Sequence, residues 1–85
     1  MGFTYLSGEE IQIGDRITLF EKPGRIEIVV DGPSSEASMN WYWTEFGGGI
    51  RIGEHGEFGR LFIRADSLNA DGYDYNNLKF VTRGE

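Results

Sequence analysis

The stretch Trp41-Tyr42-Trp43-Thr44-Glu45-Phe46-Gly47-Gly48-Gly49-Ile50-Arg51-Ile52 decides how this chain is read. Four large aromatic side chains run into three consecutive glycines, and a short alternating segment follows. Both tryptophans of the chain lie here, the largest side chains available to a small core. The glycines permit a sharp bend or a close backbone approach. Read as extended chain, alternation sends Trp41 and Trp43 to one face and Tyr42 to the other. The glycines then mark where the first half of a small β-barrel turns to meet the second. Ile50 and Ile52 share one face of a strand over 49–52. The residues leave open whether the rings are core or an exposed face for a partner. In the second case Tyr42 is the first choice of anchor, since Trp, Tyr and Arg dominate binding hot spots. Arg51, Arg60 and Arg64 lie off the inward face and fit such a surface.

Upstream, Arg16 to Phe20 reads as a strand with Ile17 and Leu19 on one face. Glu21-Lys22-Pro23-Gly24 reads as a turn, with Pro where φ is preset and Gly where φ must be positive. Arg25 to Val30 is the clearest strand, with Ile26, Ile28 and Val30 inward, so the two strands form a hairpin. Asp31 to Asn40 is a polar, Ser-rich loop. Residues 3–10 are a lead-in with a Ser7-Gly8 turn, and Gly14-Asp15 turns the chain into the first strand.

Downstream, residues 53–59 are a Gly-rich turn and Arg60 to Arg64 a strand with Leu61 and Ile63 on one face. Residues 65–68 fit one helical turn. Residues 69–77 are polar, with Asp71-Gly72 as a turn signal. Leu78 to Val81 is a closing strand, and 82–85 are expected to fray. About five short strands and no helix of useful length predict an all-β fold, a five-stranded partly open barrel of SH3-like type in a single domain over 1–85. An OB-like barrel is the alternative.

Eight Lys and Arg stand against 14 Asp and Glu, a net charge of −6. That balance repels phosphate backbones and argues against nucleic acid. It complements a basic protein partner, and it also serves solubility alone. There are no cysteines, which suits a reducing compartment and predicts a cytoplasmic protein. The first residues lack a signal peptide's charged and apolar regions. No apolar run approaches the ~18 residues of a membrane span.

Chemistry is sparse. His55 is the only histidine, set between Glu54 and Glu57 on a Gly-flanked turn; it reads as an exposed turn residue because no second His and no Cys complete a metal set. Asp66, Asp71 and Asp74 lack the spacing of a calcium loop. The three glycines precede no Lys-Ser or Lys-Thr and open no helix, so they are no phosphate loop. A Ser7–His55–Asp66 trio has no hydrolase context. The expectation is no enzyme, no metal and no cofactor.

Tyr5-Leu6-Ser7-Gly8-Glu9, Gly14-Asp15-Arg16-Ile17, Pro23-Gly24 with Glu27, Trp41-Tyr42, and Glu45-Phe46-Gly47-Gly48-Gly49 carry a resemblance that nearly spans the chain. Phe58-Gly59-Arg60, Phe62-Ile63 and Leu78-Lys79-Phe80-Val81 complete it, with 31–40 and 69–77 outside. On these residues the chain resembles a family of small bacterial single-domain proteins, some grouped with immunity proteins of polymorphic toxin systems. The resemblance implies an SH3-like fold and a protein that is a monomer when free and binds a cognate effector, a basic toxin domain by charge. It supplies no catalytic residues. The alternative is an SH3-like adaptor that reads a peptide or another protein. The expected contact surface is Trp41, Tyr42 and Trp43, with the loop acids Glu36, Glu54, Glu57, Asp71 and Asp74 as its rim.

Overall fold

Ile17, Leu19, Ile26, Ile50, Ile52 and Ile63 are almost wholly sealed from solvent, and they sit where strand alternation places them. The structure, a computed structural model, describes residues 3–69 and 71–83. Its strands are β1 (Arg16–Leu19), β2 (Lys22–Val30), β3 (Gly49–His55), β4 (Gly59–Arg64) and β5 (Leu78–Thr82). Helix α1 (Ala37–Phe46) lies between β2 and β3. A 3-10 turn (Ala65–Ser67) and a short helix α2 (Tyr73–Asn76) join β4 to β5. The strands form one antiparallel sheet in the order β4-β3-β2-β1-β5. The first four run as a meander and the fifth returns beside the first. With β4 and β5 at opposite edges, the sheet is not closed into a barrel. The fold is mostly β, with one helix of ten residues.

That helix corrects the reading of the aromatic stretch. Residues 37–40 are not loop and 41–46 are not strand. The helix is defined by its ends. The Glu36 carboxylate accepts from the Ser38 amide at 3.2 Å, and Glu36 takes extended backbone angles as the cap. At the other end Gly47 adopts φ +72, and the amides of Gly47 and Gly48 donate back to the carbonyls of Trp43 and Tyr42. Gly48 and Gly49 then carry the chain past two carbonyls. A Cβ on Gly48 would lie 2.2 Å from the Val30 oxygen, and one on Gly49 2.2 Å from that of Ile63. So the three glycines end a helix and pin its exit to β2 and β4.

Two further expectations change. The β1–β2 turn is Phe20-Glu21, not 21–24: Leu19 pairs with Lys22, and both turn residues have positive φ (54 and 67). Pro23 and Gly24 belong to β2. The bare Gly24 lets Ile17 and Ile52 close over it. Glu27 is a β-bulge, because Ile26 faces Ile52 while Ile28 faces Arg51. The extra residue flips the alternation. Val29, opposite Ile50, packs on the core in place of Ile28. Val30 is buried but outside the core cluster, at the end of β2 that α1 covers.

The segment before β1 and the segment after β5 meet around Asp15, which is fully buried. Its carboxylate accepts from the Tyr5 hydroxyl at 2.6 Å, the Gln12 amide at 2.9 Å and Arg83 at 3.0 Å. Arg83 also lies 5.0 Å over the Phe80 ring. Thr82 pairs with Arg16. Thr82 and Arg83 are therefore fixed rather than frayed, while Gly84 and Glu85 lie outside the described residues.

Candidate functional site

Two aromatic surfaces stand at opposite ends of β2. The first is carried by α1. Tyr42 and Phe46, four residues apart, share one side of the helix. Tyr42 stacks on Phe62 of β4 at 4.2 Å, and Phe46 lies 5.6 Å from the same ring. Trp41 meets Tyr42 and Phe46 edge-on at 5.2 and 5.4 Å. It remains 51% exposed. Trp43, half-buried, turns toward Gly48. So the three residues of the expected surface do not split by alternation. Trp41 projects, Tyr42 is wedged beneath it, and Trp43 packs at the helix exit.

Below the rings lies an ion cluster that sequence reasoning missed. Glu27 accepts from Arg51 at 2.9 Å and from Arg60 at 3.2 Å. The bulge turns its carboxylate onto this face, and it lies across Gly53, where a Cβ would collide with it. The Tyr42 phenol first, and Glu27 after it, hold the Arg51 guanidinium above its ordinary range. Arg64 pairs with Asp66 at 3.5 Å. Each of the three arginines expected on this face thus has a carboxylate partner.

The five loop acids are not gathered around the rings. Glu36 caps α1, and hydrogen bonds from Ser38 hold its carboxyl below the usual range. Glu54, with φ +55 at a bulge, pairs with Arg25 at 3.5 Å. Glu57 stands in the β3–β4 turn, and Asp71 and Asp74 flank the start of α2. Of these, only Glu36 belongs to the α1 end of the sheet.

The second surface is at the other end, and His55 holds it together. His55 is buried, not an exposed turn residue. Its Nδ1 accepts from the amides of Glu57 and Phe58 at 3.1 and 3.0 Å, so Nε2 carries the proton donated to the Leu19 carbonyl at 2.8 Å. One imidazole thereby ties the β3–β4 turn to the end of β1. The Phe58 ring stacks on it at 5.0 Å. Phe20 lies 6.1 Å from Phe58 and 5.5 Å from Tyr73. The Phe20 amide donates to the Asn77 carbonyl, which fixes α2 beside the turn. Nothing in the sequence signalled that these three rings meet, because they come from three segments far apart in the chain.

A cavity of about 320 Å³ lined by Ile13, Gly14, Arg25, Glu27 and Glu54 touches neither ring surface. Among the described residues no group of three or more His, Cys, Asp or Glu is placed to hold a metal. Nor is any helix among them long and apolar enough to cross a membrane. No protein-family model, no curated protein and no solved structure matches the chain.

Proposed function

We propose that this chain is a protein-binding module of SH3-like fold, an immunity-type protein that neutralises a cognate effector in the cytoplasm by occupying it as a monomer. The observation that carries the reading is Trp41, half exposed at the crest of a cluster of rings that Arg51 and Glu27 brace from below. A rigid projecting indole over a packed base is what a binding hot spot requires, since little side-chain freedom remains to be lost on contact. The SH3-like reading rests on five short strands in a meander whose last strand returns to the first. The helix between β2 and β3 is the feature that keeps the OB-like alternative in view. Ion pairing across this face supports a binding reading. Arg51, Arg60 and Arg64 are each engaged by a carboxylate, which leaves their charge committed to the scaffold rather than to a substrate.

A projecting ring speaks for insertion into a pocket on a folded partner, rather than for a groove that takes a Pro-rich peptide as the adaptor reading requires. Net charge makes a basic partner the complementary one. The test is a pull-down against the protein encoded beside this one, followed by co-expression with it. Binding, growth rescue, and a dissociation rate about ten-fold faster or more for Trp41→Ala support the reading. Absence of binding and of rescue refutes it.

A further inference from the structure

The trio Phe20, Phe58 and Tyr73 is assembled from two separate turns and the first residue of α2, and each ring has an acid as its chain neighbour: Phe20-Glu21, Glu57-Phe58 and Tyr73-Asp74. Tyr73 is 75% exposed and Phe58 48%. Phe20 sits at φ +54, a conformation bulky side chains rarely adopt. None of the three acids takes part in the ion pairs among the described residues. Lys22 is the one cation in segments 19–22, 55–59 and 71–77. Successive Cα atoms are about 3.8 Å apart, so each acid leaves the backbone immediately beside its ring.

We propose that this acid-rimmed aromatic trio, brought together by the His55 tie between β1 and the β3–β4 turn and by the Phe20–Asn77 hydrogen bond that fixes α2, is a recognition site for an arginine or lysine side chain in a basic segment of a protein partner. Ring faces attract a cation, and the surrounding carboxylates reinforce that attraction. The exposed apolar area of Phe58 and Tyr73 fits the alkyl stem of such a side chain, which a simple inorganic cation lacks. The rings meet at 80° and 38°, so they form a corner and not a flat stack, giving a cationic head more than one face to approach. The site stands apart from Trp41 and does not depend on the effector reading. It lies at the start of β2, and α1 covers the end about 25 Å away by strand rise.

The experiment is a ¹⁵N-resolved NMR titration of the whole chain with a capped hexa-arginine peptide, with a hexa-citrulline peptide as the neutral isostere. Amide shifts centred on the β1–β2 turn, the β3–β4 turn and α2, and little response to citrulline, are the expected result. Tyr73→Leu keeps apolar area but removes the π face, and being exposed it leaves the fold intact. It should weaken hexa-arginine binding about ten-fold. The combined Glu21→Gln, Glu57→Gln, Asp74→Asn variant should weaken it and flatten its salt dependence. Equal binding of citrulline overturns the proposal, as does binding that Tyr73→Leu leaves unchanged, since the rings would then take no part. Shifts spread evenly over all acidic loops would also overturn it.

Discussion

Glu27 shows how much one residue decides. As the extra residue of a bulge it reverses the faces of all that follows in β2, and its carboxylate becomes the shared acceptor of Arg51 and Arg60. The consequence for stability is direct. Ile26 is fully buried in the core, whereas Ile28 is half-buried on the opposite face across from Arg51. Ile26→Ala should cost ~2–5 kcal/mol, as truncation in a close-packed core does. Ile28→Ala should cost about 1 kcal/mol, in proportion to its partial burial. Urea melts of the two variants check the order; equal losses would mean that the bulge is misplaced and simple alternation holds.

At the scale of the element, α1 is a helix without a fully buried residue. It is held by its caps and by the ring contacts of Tyr42 and Phe46 on Phe62 rather than by a buried stripe. Its exit is where substitution should bite. Gly47 has positive φ but open space around its missing side chain. Gly47→Ala should therefore cost about 1–2 kcal/mol, the left-handed penalty alone. Gly48→Ala adds the collision with the Val30 carbonyl and a contact with the Trp43 ring. It should cost more than Gly47→Ala, by ~1–3 kcal/mol. Thermal melts give the ordering, and loss of the Trp43 near-ultraviolet signature in Gly48→Ala alone would locate the damage. Identical effects of the two variants would show that close approach to β2 is not what these glycines serve.

For the whole molecule, the Tyr5–Asp15–Arg83 network joins the lead-in to the segment after β5, residues almost a full chain length apart. Burial first, then the hydrogen bond to Asp15, push the Tyr5 phenol above its ordinary value of 10.0. The folded chain therefore keeps a proton that the unfolded chain releases. The stability this supplies is complete below about pH 10 and is lost as pH rises beyond it. Tyr5→Phe lacks the hydrogen bond, worth about 1 kcal/mol net, and also lacks the proton linkage. Wild type should lead the variant by a constant margin up to about pH 10, and that margin should shrink above it. Urea melts across that range test this; a margin that stays constant into the alkaline limb would show that Tyr5 ionises freely in the folded chain.

Several features were legible in the residues alone: the strands beginning at Arg16 and Gly49, the strand read from Arg60 that begins one residue earlier at Gly59, the inward faces of Ile17, Leu19, Ile50, Ile52 and Ile63, and the helical turn within 65–68, observed at 65–67. Alternation and turn chemistry are local, and they report which face of a segment is wet without reference to any partner. What the aromatic run would become was settled elsewhere. Three adjacent rings suit a strand by propensity. They form a helix here because Gly47 ends it and Phe62, sixteen residues beyond Phe46 in sequence, receives Tyr42 and Phe46. The Glu27 bulge, the burial of His55, and the meeting of Phe20, Phe58 and Tyr73 were likewise tertiary decisions. Each depends on groups far apart in the chain, whose contacts exist only once the strands have paired.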